Sequence, residues 1–261
     1  MITTPIADTG VEVTPLGFGT VKLGRNKGVK YPSDFKIPDD RQALALINLA
    51  AELGINLIDT APAYGNSEER LGTLLAGQRQ RWVICTKVGE EFDNGASHYD
   101  FTPEYTRFSI ERSLQRLNTD YLDLVLVHSD GNDLDIVQRY GTLEVLNELK
   151  QQGLIRATGI SSKTVAGGIA ALQQSDCAMV TYNLNQQQEA EVIDYAHANN
   201  KGILIKKALA SGHLCQQGED PVARSMKFVF SRPGVGSAIV GTINAHHLRS
   251  NLHAALSALG R

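Results

Sequence analysis

Short apolar runs alternate with segments of helical periodicity along almost the whole chain, and this alternation limits the fold more than any other feature of the sequence. The runs fall at 15–19, 55–59, 82–86, 121–128, 155–160, 178–182, 202–206 and 236–240. Between them apolar residues recur at three- and four-residue spacing, as in Leu44, Ile47, Leu49 and Leu53, or Leu143, Leu146 and Leu149. Eight strand–helix units in a chain of 261 residues predict an α/β protein, a (β/α)8 TIM barrel in a single domain spanning 1–261. A doubly wound sheet is the structural alternative, but eight regular units with no domain-sized break in composition favour closure. Residues 1–14 carry Asp8-Thr9-Gly10 between alternating residues, which predicts an N-terminal β-hairpin capping the barrel bottom. Helix starts are expected at Pro38-Asp39-Asp40, Asn66-Ser67-Glu68-Glu69 and Thr102-Pro103-Glu104.

Composition excludes several classes of function. A net charge of -3 gives no general affinity for nucleic acid or an anionic membrane. Cys85, Cys177 and Cys215 are widely spaced and form no CxxC pair, which argues against a disulfide framework, a zinc site or an iron–sulfur site. The start of the chain lacks the basic and apolar regions of a secretory signal, and no apolar stretch approaches the ~20 residues of a membrane span. The expectation is a cytoplasmic protein, a monomer or weak oligomer, with a small-molecule substrate and no resident metal.

Chemistry concentrates at the ends of successive strands. Asp59 ends the second apolar run, with Tyr64 five residues on; Lys87 closes the third and His128 the fourth. In a parallel barrel these ends open onto one face, so the four groups are expected to meet in one pocket. A phenol with an unperturbed pKa of about 10 is a poor proton donor at neutral pH unless a neighbouring cation favours the phenolate, and Lys87 is placed to do so. Lys87 in turn needs a carboxylate partner to stay charged when desolvated, which Asp59 supplies. His128 is placed to hydrogen-bond a substrate carbonyl. Taken singly, Asp59 reads more readily as a helix cap, Tyr64 as a half-buried loop aromatic, Lys87 as a Schiff-base lysine or a solvated charge, and His128 as a satisfied polar residue. Their occurrence at one edge in consecutive units shifts the balance toward carbonyl reduction.

Gly17-Phe-Gly19-Thr20, the block from Asn56 to Gly65, Thr86-Lys87, Leu124-Val-Leu-Val-His128 and Gly159-Ile-Ser161-Ser162 resemble, in order and context, the landmarks of the aldo-keto reductase family. The resemblance covers essentially the whole chain. It implies a (β/α)8 barrel that binds an extended nicotinamide cofactor, with Tyr64 as general acid, Lys87 and Asp59 as its tuning pair and His128 orienting the substrate. No Gly-x-Gly-x-x-Gly follows any strand, so a Rossmann nucleotide site is not expected. Val240-Gly-Thr-Ile-Asn-Ala245 instead has the form of a barrel phosphate site, a strand end followed by small residues and a helix start. By resemblance Gly241, Thr242, Asn244, His247 and Asn251 line the adenosine and 2′-phosphate end. Ser211, Gly212 and Leu214 cover the pyrophosphate, Ser161 touches the carboxamide, and Gly19, Thr20 and Ser162 join the cofactor-contacting set.

Several positions depart from the family's pattern. The usual Ser-Asn pair after strand five is Ser161-Ser162, and the strand-six glutamine falls near Met179, with Asn183 as the nearest polar substitute. The aromatic that stacks on the nicotinamide aligns with Lys206 or Lys207, which would remove a contact of around a kcal/mol. Either lysine is placed to reach a pyrophosphate or an acidic substrate instead. The arginine that grips the 2′-phosphate corresponds to His247, a weaker and pH-dependent partner. NADPH is the first expectation and NADH the second. The loop at 89–101 (Phe92, His98, Tyr99, Phe101) and the segment 22–37 are expected around the pocket mouth, the aromatics being equally suited to pinning their own loop.

The reading is an NAD(P)H-dependent oxidoreductase that reduces an aldehyde or ketone to an alcohol. The alternative is a cofactor-binding, weakly catalytic barrel acting as a redox-sensing or regulatory subunit. A third, a Schiff-base aldolase using Lys87, is disfavoured by Asp59, which would keep that amine protonated.

Overall fold

All eight expected strands form, within two residues of their expected ends, in a computed structural model that describes residues 2–216 and 219–260. In chain order the strands are β1 (Thr4–Pro5), β2 (Glu12–Val13), β3 (Leu16–Gly19), β4 (Leu57–Asp59), β5 (Val83–Val88), β6 (Glu90–Asp93) and β7 (Ala96–Tyr99). They continue as β8 (Leu122–His128), β9 (Ile155–Ser161), β10 (Cys177–Thr181), β11 (Gly202–Lys206) and β12 (Ser237–Val240). The helices are α1 (Val21–Gly24), α2 (Asp40–Glu52), α3 (Ser67–Leu74), α4 (Pro103–Leu117), α5 (Asp133–Arg139), α6 (Thr142–Gln151), α7 (Val165–Leu172), α8 (Ala190–Ala198), α9 (Pro221–Phe230) and α10 (Ala245–Ala258). β3, β4, β5, β8, β9, β10, β11 and β12 follow one another around a closed parallel barrel, and β12 pairs back onto β3. No helix among the described residues is long and apolar enough to cross a membrane.

β8 shows why the runs read as continuous rather than alternating. It is covered on both faces, so Leu122 through Val127 are all buried. The one charge in that run, Asp123, is buried against the bottom of the barrel. There it accepts a hydrogen bond from Ile84 N (3.0 Å) and pairs with Arg79 Nη2 (2.8 Å).

Leu57, Cys85, Leu124, Leu126, Cys177 and Leu204 fill the barrel interior, and Ile6, Val11 and Val13 from the β1–β2 hairpin plug it from below. The hairpin cap read from Asp8-Thr9-Gly10 is therefore present. Asp39 caps α2 in a reciprocal box with Gln42, and Thr102 caps α4 through Tyr105 N. Asn66 does not act as expected: at φ -91° and ψ 22° its side chain accepts no hydrogen bond at the start of α3.

The segment after β5 is a hairpin, not a loop. β6 and β7 pair from Glu90–Tyr99 to Asp93–Ala96. Asn94 and Gly95 both take positive φ (50° and 88°), the backbone of a two-residue turn that suits strand twist.

Candidate active site

Asp59 ends β4, Lys87 lies one residue from the end of β5, and His128, Ser161 and Lys206 end β8, β9 and β11. Because the strands are parallel and in register, these ends share one rim around a cavity of about 800 Å³. Tyr64 reaches the same cavity from a single 3-10 turn, Pro62–Tyr64. Two glycines hold that turn in place. Gly65 has φ 64°, and a Cβ there would come 2.2 Å from the Gly24 carbonyl, while one on Gly24 would come 2.2 Å from the Tyr64 carbonyl. The four expected catalytic side chains thus meet.

Lys87 is buried and donates to Asp59 Oδ1 at 2.5 Å and to Thr60 O at 2.8 Å. Burial works against its charge, but Asp59, with smaller help from Tyr64 and Cys85, more than offsets it and the amine stays protonated. The Tyr64 hydroxyl lies 3.4 Å from Asp59 Oδ2, and the Lys87 ammonium is 4.7 Å from the Tyr64 ring centre. Burial, then Asp59, push the phenol above its ordinary range; Lys87 pulls it down without winning. Lys87 thus acts on the phenol in the expected direction, but burial and Asp59 outweigh it and Tyr64 rests protonated.

His128 has a partner the sequence reading did not name. Glu90 Oε2, at the start of β6, lies 2.8 Å from His128 Nδ1. Burial lowers the imidazole's pKa and Glu90 opposes the drop. Glu90 itself stays ionised, its carboxyl held at about 2 by His128, Ser97 and Arg25 despite burial. With Nδ1 turned to Glu90, Nε2 is left for the cavity, and it donates to a carbonyl oxygen when the ring is doubly protonated. The signal missed was Asn94-Gly95, which closes the hairpin that carries Glu90.

The expected cofactor residues divide in two. Gly19, Thr20, Ser161, Lys206, Ser211, Gly212, Gly241, Thr242, His247 and Asn251 line the cavity. Four expected residues do not, and their side chains are engaged elsewhere. Ser162 Oγ donates to Glu189 Oε1 (2.5 Å), and Asn183 is buried, donating to Lys207 O (2.9 Å) and accepting from Asn185 N (2.9 Å). Leu214 is buried, and Asn244 caps α10 by accepting from His246 N and His247 N. Thr20 also serves the fold, its hydroxyl donating to the Asp59 carbonyl at 2.9 Å. Of the aromatics expected at the mouth, none from 92–101 lines the cavity. Phe92 lies under the Arg25 guanidinium, and Phe101 stacks on Tyr99 and meets Tyr140 at a tilt of 57°. From 22–37, Lys22, Lys30, Tyr31, Pro32 and Ser33 do line it.

The charge of this cavity suits the phosphates of a dinucleotide. Its lining carries six lysines (Lys22, Lys30, Lys87, Lys163, Lys206, Lys207) against one aspartate, Asp59, already paired. At Gly241 a Cβ would come 3.0 Å from the Tyr31 hydroxyl, so the absence of a side chain lets the Tyr31 hydroxyl approach the backbone there. Asn251 is buried and its amide has no hydrogen-bond partner among the described residues, so it is free for a ligand.

The aldo/keto reductase family model matches residues 15–222. The chain belongs to the aldo/keto reductase family. It is an NAD(P)H-dependent oxidoreductase by that membership. A crystal structure of a Pseudomonas aeruginosa protein, described as a candidate aldo-keto reductase, is 60% identical and superposes with a TM-score of 0.90 over 99% of this chain and 95% of that one. The oxidoreductase YqkF of Bacillus subtilis is 26% identical over 96% of this chain and 90% of its own length. The NADH-specific methylglyoxal reductase of Escherichia coli is 31% identical over 80% of this chain and 68% of its own.

Proposed function

We propose that this aldo-keto reductase reduces an aldehyde or ketone to an alcohol, with Tyr64 as the proton donor. The observation that carries the proposal is the buried Lys87–Asp59 pair at 2.5 Å beside a phenol that rests protonated. Bound reduced nicotinamide supplies the hydride. As negative charge grows on the carbonyl oxygen, Tyr64 gives up its proton, and the Lys87 ammonium, fixed by Asp59, stabilises the phenolate left behind. His128 holds the carbonyl oxygen through Nε2, with Glu90 supporting the charge on its ring. Gly241, Thr242, His247 and Asn251 are the residues we assign to the nucleotide end.

NADPH is our first choice of cofactor because the cavity is rich in lysines. His247 in place of an arginine, and the likeness to an NADH-specific relative, make NADH the second. We read the chain as a cytoplasmic single-domain protein, a monomer or weak oligomer acting on a small carbonyl compound. A second reading, a barrel that binds the cofactor and turns over slowly as a redox sensor, has one observation in its favour. Met179 and Lys206 line the cavity on the strands where family members offer an amide and an aromatic ring. The Schiff-base reading for Lys87 is not favoured, since its amine is held protonated by Asp59.

The test is a fluorescence titration with NADPH and NADH, followed by small aldehydes added to the bound form. Aldehyde-dependent oxidation of the bound cofactor supports the reductase. Binding with no oxidation across the panel moves the chain to the sensor reading.

A further inference from the structure

Arg25, just after α1, meets two catalytic elements at once. Its guanidinium touches both the 3-10 turn that presents Tyr64 and the hairpin that carries Glu90. Nη1 donates to Ala63 O at 3.0 Å, Nε to Lys27 O at 2.8 Å and Nη2 to Gly28 O at 3.1 Å. The central carbon Cζ lies 3.3 Å from the centre of the Phe92 ring. Phe92 and Glu90 are two residues apart on β6, so their side chains leave the strand on one side. From that side Glu90 Oε2 reaches His128 Nδ1 at 2.8 Å. The arginine thus joins the element of the proton donor to the element that supports the carbonyl-orienting histidine.

The last carbonyls of a short helical turn have no partner inside it. Ala63 is buried and immediately precedes Tyr64, and among the described residues its carbonyl is bonded by Arg25. Gly28 folds the chain back onto the guanidinium at φ 62°. A Cβ there would come 3.0 Å from Arg25 Nη2 and 3.3 Å from the Phe92 ring. The three donors so placed go to carbonyls and none to a carboxylate, so the fork serves shape before charge. Tyr64 and His128 come from different strand units, yet both must address one carbonyl oxygen. Their ring centres lie 6.3 Å apart with planes at 85°. A misplacement of about 1 Å at such a site costs on the order of a hundredfold in rate.

We propose that Arg25 is a positioning residue for the reduction, holding the Tyr64 turn and the Glu90 hairpin at the spacing that lets Tyr64 and His128 grip one oxygen. The assignment rests on the reductase reading for the chemistry, and Arg25 itself does not line the cavity. Losing the fork frees the Ala63 carbonyl and the Phe92 ring together, so the donor and the histidine's carboxylate both shift. The same contacts could serve only to pin residues 22–28, and the two roles separate at His128. Glu90 raises the pKa of His128 against burial, Lys87 and Lys206 lower it, and Tyr64 meets the ring edge-on. Withdrawing Glu90 therefore lowers that pKa, whereas deleting a nearby cation raises it.

The test compares Arg25→Ala and Arg25→Lys with the wild type, the lysine keeping the charge without the fork. The His128 imidazole is titrated by NMR, its signal identified by its loss in His128→Gln, and turnover is measured with NADPH and butanal. Arg25→Ala should lower the His128 pKa, as Glu90→Gln does, by about half a unit to one unit. It should also lower kcat about tenfold to a hundredfold, with NADPH affinity within about twofold by fluorescence titration. Arg25→Lys should lose nearly as much. Should Arg25→Ala fall short of the wild-type Tm, Phe92→Leu loosens the joint from the hairpin side and is read in the same way. An unmoved His128 pKa with kcat within about twofold overturns the proposal. A raised His128 pKa, or full activity in Arg25→Lys, gives Arg25 a role by charge and overturns positioning. Equal losses of kcat and NADPH affinity make it an anchor of residues 22–28 alone and overturn it too. A lowered His128 pKa with no turnover of any aldehyde by the wild type would leave the joint standing and sink the reductase reading instead.

Discussion

Each expected catalytic side chain owes its position to one strand end or one turn, which is why single substitutions should separate their roles. Tyr64→Phe removes the proton donor and leaves the Lys87–Asp59 pair in place. Turnover should fall roughly a hundredfold to ten-thousandfold while NADPH affinity stays within about twofold, read by steady-state rates and by fluorescence titration. Glu90→Gln removes the anion that holds a proton on His128 against burial. His128 should then titrate at lower pH, and the fall of kcat/KM with rising pH should move to the acid side by about one unit. An unmoved profile would mean that His128 acts as a neutral ring. That Asp59, Tyr64, Lys87 and His128 meet was legible in the sequence because each closes or follows an apolar run. Glu90 was not, because its contact with His128 depends on a hairpin whose flanks, Glu90 to Asp93 and Ala96 to Tyr99, carry no apolar alternation. The raised pKa of Tyr64 was not legible either, since burial of a loop residue is set by what folds over it.

Among the elements, strands were easier to place than the backbone between them. β8 and β11 announce themselves as apolar runs, whereas Asn183 does not line the cavity, because a sequence gives proximity along the chain rather than direction. That side chain turns into its own loop to hold Lys207 O and Asn185 N. The crossing of Gly24 and Gly65 is a backbone-on-backbone contact, and it fixes the 3-10 turn that presents Tyr64. Gly65→Ala forces a side chain into positive φ and against the Gly24 carbonyl, so the turn must shift. The expected result is a loss of kcat of at least about tenfold, larger than the accompanying change in stability suggests. A variant with full activity would show that the turn tolerates displacement and that Tyr64 is placed by its ring contacts alone.

For the whole molecule, the barrel keeps stability at one end and chemistry at the other. The β1–β2 hairpin closes the bottom with Ile6, Val11 and Val13, and Ile6 is so closely fitted that a Cβ on Gly202 would come 2.7 Å from its Cδ1. Ile6→Ala should lower the unfolding free energy by about 2–5 kcal/mol in a urea titration and leave NADPH affinity within about twofold. Coupling between the two ends would appear as a loss of both. The closed barrel was readable because hydrophobic period is a local property repeated eight times. The charge of the cavity was not, because its lysines come from separate loops and strands and offset acids elsewhere in a chain of net charge -3. The most direct measurement is to follow a single hydride. NADPH carrying deuterium at both C4 positions is incubated with the protein and butanal, and the alcohol product is weighed by mass spectrometry. Direct reduction predicts one deuterium per product molecule, matched to cofactor consumed and formed at least about a hundredfold more slowly in Tyr64→Phe. Cofactor binding with no deuterium in the alcohol of this or any other carbonyl compound would contradict the reductase reading.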